Sequence, residues 1–196
     1  MSRVVRERDP KKAVDAIRSW GRHVVTFSGF SGGGYEDPAA VERAIAGELA
    51  RLEPAQAIIC CGATADGIGA VYPLAKARGF ETVGIVSSVA ESEGAPFSDS
   101  VGTIFVIEDD TWGGVRGDGT LSPTSSAMVQ AADDMIAIGG GAITRDEVEA
   151  ARRLGKRVRY LPADMNHAVA TRKAIKSGEA PPTDFKGAVD KLFTSA

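Results

Sequence analysis

Asp134-Met135-Ile136-Ala137-Ile138-Gly139-Gly140-Gly141-Ala142-Ile143-Thr144-Arg145-Asp146-Glu147-Val148-Glu149-Ala150-Ala151 is the stretch whose reading decides the fold. A short apolar run, Met135 to Ile138, breaks into three glycines and then into a helical pattern. That sequence of signals is a buried strand, a tight turn and a helix N-terminus. The glycines give the turn a backbone that can take positive φ and bring its N–H groups close to a ligand. Thr144 is placed to cap the helix, with Glu147 three residues on as its capping-box partner. Unpaired N–H groups and the positive end of the helix dipole make such a junction an anion site, most naturally for a phosphate. Gly139, Gly140, Gly141, Ala142 and Thr144 are therefore candidate phosphate-binding residues. A purely structural turn is the alternative.

Two further strand ends carry glycine upstream. His23 to Phe27 runs into Ser28-Gly29-Phe30-Ser31-Gly32-Gly33-Gly34-Tyr35, and Gln56 to Cys61 into Gly62-Ala63-Thr64-Ala65-Asp66-Gly67-Ile68-Gly69. In an open α/β sheet ligands sit beyond the carboxyl ends of the strands. Ser28, Gly29, Gly62, Thr64 and Gly67 thus join the candidate site, although the first loop also reads as a mobile surface loop. The spacing is not G-x-G-x-x-G, so no classical dinucleotide site is expected.

Thr82 to Val86, Gly102 to Ile107 and Arg157 to Leu161 read as further strands. Asp9 to Trp20, Pro38 to Leu52, a stretch ending near Arg78, and Pro123 to Ala132 read as helices. Within Pro38 to Leu52, Val41, Ile45 and Leu49 form the inner face, with Glu42, Arg43 and Glu48 outside. Strands alternate with helices about six times without a linker or a repeat. The expectation is α/β: one Rossmann-like domain over 1–196, a doubly wound parallel sheet with helices on both faces. Residues 1–22 read as an N-terminal helical extension and 162–196 as a C-terminal helical tail. The tail's Arg172, Lys173 and Lys176 read as a solvated face.

A net charge of −3 and a pI near 5.5 favour neither nucleic acid nor a membrane surface as partner. No stretch approaches the ~20 apolar residues of a membrane span. The first residues are charged and lack the apolar core of a signal peptide, so a cytoplasmic protein is expected. Cys60 and Cys61 are adjacent in a strand and point to opposite faces, which disfavours a disulfide between them. Glu108, Asp109 and Asp110 could bind a hydroxyl or a metal. No His or Cys accompanies them, so no dedicated metal site is expected, and no cofactor. Trp112 reads as a stacking platform for a base, or equally as a half-exposed loop residue. His167 has no fixed partner and carries no catalytic signature.

Three of these segments together resemble the Lonely Guy family, long labelled lysine decarboxylase-like. It lies within a nucleotide-binding superfamily that also holds DprA-like and molybdenum-cofactor-carrier-like proteins. Phe27-Ser28-Gly29 is similar to the family's Gly-Ser turn. Cys61 to Val71 is similar to its Gly-Gly…Gly-Leu-Met-Gly-Ala-Val segment. Ala132 to Glu147 is similar to Ala-Asp-x-Phe-Ile-x-Leu-Pro-Gly-Gly-x-Gly-Thr-x-x-Glu. The resemblance spans about residues 23–161. It implies a Rossmann-like fold, a homodimer, and a nucleotide phosphate on the glycine loop. It also implies hydrolysis of the N-glycosidic bond of a nucleoside 5′-monophosphate by an arginine and the motif's glutamate, here Glu147.

Three departures weaken that chemistry. The family's Arg-Lys-x-x-Met aligns with Thr124-Ser125-Ser126-Ala127-Met128, so its arginine is missing. Its proline is Gly139, and its last motif glycine is Ile143, whose β-branched side chain resists positive φ. Arg116 and Arg145 are the candidates to replace the arginine. The first functional reading is therefore a binding protein for a nucleotide or nucleotide-derived phosphate ligand. The alternatives are a divergent phosphoribohydrolase using Glu147, and a scaffold whose loops bind nothing small.

Overall fold

The computed structural model describes residues 2–194. Seven strands form its sheet: β1 (Arg3–Glu7), β2 (His23–Gly29), β3 (Ala57–Cys61), β4 (Glu81–Ser87), β5 (Thr103–Ile107), β6 (Asp134–Ile138) and β7 (Arg157–Leu161). Their order is β1-β5-β4-β3-β2-β6-β7, and every pairing is parallel. From β2 the chain steps outward through β3, β4 and β5. It then crosses back to lay β6 on the other side of β2. This reversal opens a crevice beyond the carboxyl ends of β2 and β6, the place where open α/β sheets bind ligands. The register sets Gly29 opposite Ile138, so the Ser28-Gly29 turn lies level with the glycine turn after β6.

The helices are α1 (Pro10–Arg18), α2 (Pro38–Leu49), α3 (Val71–Lys76), α4 (Ser88–Ser92), α5 (Pro123–Ala131), α6 (Ala142–Arg153), α7 (His167–Lys176) and α8 (Lys191–Thr194). Pro38 and Pro123 open their helices at the first position, where the missing N–H costs nothing. Both faces of the sheet are covered, which is why the central strands are apolar throughout. Val41, Ile45 and Leu49 of α2 and Val71 and Tyr72 of α3 pack with Val25, Ile59 and Cys61 on one face. Ala13, Val14 and Ile17 of α1 and Ala127 and Met128 of α5 pack with Val24, Ile58 and Cys60 on the other. Cys60 and Cys61 thus enter separate cores, both free and buried, and burial raises both thiol pKa values, that of Cys61 to about 12.

The expected helical extension over residues 1–22 needs correction. Arg3–Glu7 is an edge strand, paired from Arg3 with Thr103 to Glu7 with Ile107, and only α1 is helical there. Edge strands tolerate exposed charge, and Arg3, Arg6 and Glu7 give no apolar run to read. Glu48 is a second correction. Expected on the outer face of α2, it is buried and pairs with Arg159 of β7 at 3.0 Å. No helix among the described residues is long and apolar enough to cross a membrane.

Candidate functional site

A cleft of about 660 Å³ occupies the crevice where the winding reverses. The end of β2 contributes Ser28 and Gly29, and the end of β3 contributes Gly62 and Thr64. The start of α6 contributes Gly141, Ala142, Ile143 and Thr144, with Glu147 one turn further in. Trp112 also lines the cleft, about half exposed. Nine of the residues singled out in the sequence are thus brought together.

Gly67, Gly139 and Gly140 do not line the cleft, because chain packs against them instead. Gly140 has φ +126°, and a Cβ there would lie 2.7 Å from the Thr144 side chain. Its carbonyl accepts a hydrogen bond from the Val189 N–H (3.3 Å). A Cβ on Gly139 would lie 2.6 Å from the Ala163 carbonyl oxygen and the Phe30 ring. Gly67 sits against the backbone of Phe30, whose carbonyl accepts from the Ile68 N–H (2.8 Å). Of the triplet, only Gly141 opens onto free space. Ile143 lies within the first turn of α6, so the helix asks no positive φ of it.

The expected capping box does not form. α6 starts at Ala142 with Gly141 as its N-cap, and no side chain caps it. Side-chain caps do close α1, α2, α5 and α7, from Asp9, Asp37, Ser122 and Asn166. Thr144 turns inward: its hydroxyl donates to the Gly29 carbonyl (3.3 Å) and lies 3.2 Å from Ser28 Oγ. Glu147 is drawn in with it. The Ser28 and Ser125 hydroxyls donate to its two carboxylate oxygens, each at 2.8 Å, and Ser125 Oγ accepts from the Gly114 N–H (2.8 Å).

Burial pushes the Glu147 carboxyl up to about 6, against the pull of the two serine hydroxyls, and the Asp146 carboxylate adds to the push. The unfolded chain releases this proton near 4.5 and the folded chain near 6. Between those values the native state holds more protons, so stability falls as pH rises, by about 2 kcal/mol in all. Glu147→Gln removes that decline. Urea unfolding of both proteins at pH 4 and pH 7 should show the variant gaining about 2 kcal/mol on the wild type across that interval. A difference that stays constant with pH would contradict the assignment.

Neither candidate replacement for the arginine reaches the cleft wall. Arg145 is held by its neighbour Asp146, at 2.7 and 2.9 Å. Arg116 is held by Asp110 at 2.9 Å and Asp109 at 3.5 Å. Asp109 itself is buried. Burial alone would raise its pKa, but hydrogen bonds from Thr124 and Thr111 outweigh it and hold the carboxyl below the usual range. It accepts from the Thr124 N–H (3.0 Å) at the start of α5 and from the Thr111 hydroxyl (2.8 Å), which gives this acidic run a structural role. Among the described residues no group of three or more His, Cys, Asp or Glu side chains is placed to hold a metal ion. His167 lies outside the cleft, stacked on Phe185 with ring centroids 3.9 Å apart.

Sequence reasoning missed an apolar end of the cleft, formed by Val86, Ala90, Pro96 and Phe97, and the contribution of Met165 and Lys173 from the tail. These come from a short helix, a loop and the segment beyond the last strand. No periodic pattern ties them to the glycine turns.

No family model matches the sequence, and no curated protein matches it. Solved structures do. One is TM1055, a structural-genomics target: 24% identity, TM-score 0.50, covering 69% of this chain and 72% of that one. Another is the molybdenum cofactor carrier protein MCP from Chlamydomonas reinhardtii: 18% identity, TM-score 0.51, covering 71% of this chain and 76% of that one. At these identities the likeness establishes a shared Rossmann-like α/β fold.

Proposed function

We propose that this protein binds a nucleotide or nucleotide-derived phosphate ligand in the cleft. One observation carries the reading: α6 begins without a side-chain cap, at a glycine that leaves open space, inside the cleft. Backbone donors at a helix start match a phosphate. The Phe97 and Trp112 rings in the lining suit a planar base, and Asp66 and Thr64 suit sugar hydroxyls. The likeness to MCP, a protein named as a carrier, also favours binding over turnover.

Glu147 keeps hydrolysis as the second reading. A carboxyl that titrates near 6 in the cleft wall can protonate a leaving base or orient a water. Against it, both its oxygens are engaged by serines, and among the described residues no arginine lines the cleft. The test is a panel of nucleoside 5′-monophosphates read by thermal shift and by chromatography of free base. A shift without base release is the expected result. Base release that disappears in Glu147→Ala would replace the binding reading by a phosphoribohydrolase. The homodimer implied by the family resemblance belongs to this proposal, and light scattering showing only monomer would remove it.

A further inference from the structure

A cleft for a phosphate ligand needs positive charge, and among the described residues one basic side chain lines it. Its wall carries two carboxyl groups, Asp66 and Glu147, and one basic side chain, Lys173 of α7. The sequence placed Lys173 on a solvated face, but the fold places it at the cleft mouth. The loop after β2 and the segment before α7 are joined by a ladder of hydrogen bonds. The Glu36 N–H donates to the Asp164 carbonyl (3.0 Å), the Asn166 N–H to the Gly34 carbonyl (3.2 Å), and the His167 N–H to the Glu36 carboxylate (2.8 Å). Asn166 then caps α7 by accepting from the Val169 N–H (3.0 Å).

That clasp sets α7 over the glycine-rich loop. A Cβ on Gly33 would meet Lys173 Nζ, Met165 Sδ and Val169 Cγ1, each at 3.6 Å. The Lys173 ammonium therefore rests above Gly33. Among the described residues it makes no ion pair and no hydrogen bond, whereas Arg18, Arg116, Arg145 and Arg157 each have a carboxylate partner. An unpaired ammonium in a cleft with two carboxyl groups is the group that decides whether an anion enters.

We propose that Lys173 is the anion-recognising residue of the cleft, selecting a phosphate monoester over the corresponding uncharged molecule. The inference rests on the phosphate-ligand reading above and names the side chain that gives it specificity. An ammonium suits this work as a compact charge with three donors that can follow a phosphate. The α6 backbone fixes where the phosphate sits, and Lys173 supplies the full charge that a helix start lacks.

The experiment is isothermal calorimetry on the full chain, wild type, Lys173→Gln and Lys173→Arg. The probes are the four ribonucleoside 5′-monophosphates, the matching nucleosides, and inorganic phosphate, each at low and high salt. Lys173→Gln is expected to weaken monophosphate binding roughly 10-fold or more, as for loss of a charged hydrogen bond. Nucleoside affinity should not change, and the salt dependence of monophosphate binding should flatten. Lys173→Arg should restore most of the affinity. Monophosphates that bind wild type and Lys173→Gln equally, with the same salt dependence, overturn the role of Lys173 and leave the phosphate-ligand reading standing. A wild type that binds neither monophosphates nor inorganic phosphate overturns both. Equal melting temperatures for the three proteins confirm that an exposed position was changed without harm to the fold.

Discussion

Gly140→Val is expected to destabilise the protein by about 3 kcal/mol or more, a large share of the roughly 5–15 kcal/mol that holds a typical domain folded. Two costs add at this position. The backbone has φ +126°, a region that a β-branched residue all but never adopts. The new Cβ would also stand 2.7 Å from two atoms of the Thr144 side chain. Thr144 cannot swing away freely, because its hydroxyl is tied to the Gly29 carbonyl within a buried cluster. Overpacking of this kind alone costs roughly 1–3 kcal/mol. Urea unfolding reads the effect directly. A Gly140→Val protein of wild-type stability would show that the turn after β6 is not packed as described. The variant is therefore a test of the fold and not of the ligand, although the motif resemblance suggests the reverse.

Gly141→Val, one residue on, should have the opposite profile. Gly141 has φ −86° and ψ −158°, extended backbone that valine favours, and a Cβ there meets nothing within 4 Å. The change in stability should stay below about 1 kcal/mol. Yet the isopropyl group would project from the N-cap of α6 into the cleft, where the phosphate is proposed to sit. Monophosphate affinity should fall on the order of 100-fold, the loss of several backbone hydrogen bonds to a charged group. A folded Gly141→Val that binds as the wild type would move the ligand away from α6. The two neighbouring glycines thus separate what the fold needs from what the site needs.

The sequence made the strand–turn–helix junctions legible because each apolar run ends abruptly in glycine, as at Ile138 and Cys61. Those junctions fix the parallel sheet, and with it the place of the cleft. It could not show which of Gly139, Gly140 and Gly141 faces a ligand. All three permit the turn, and of the partners that occupy two of them only Thr144 is near in the chain; Ala163, Phe30 and Val189 lie far away in it. Thr144 and Glu147 have capping-box spacing, but Ser28 and Ser125 offered them buried partners, and tertiary hydrogen bonds won over the local cap. The edge strand β1 was invisible because an edge needs only one apolar side. Lys173 was illegible for a related reason: helical spacing shows an exposed face, and not what another loop brings across from it.

The seven strands are complete at Leu161, but the turn after β6 is not. Gly187 presses on Gly140 from behind, the Val189 N–H bonds the Gly140 carbonyl, and Tyr160 reaches Asp190 at 2.9 Å and stacks on Phe193. A nascent chain emerging from the ribosome therefore has every strand before it has the brace for its glycine turn, and Lys173 arrives in that same late segment. Synthesis makes the glycine turns early and their brace, with Lys173, last. An interruption after the sheet would leave the glycine turn without its brace and the cleft without Lys173.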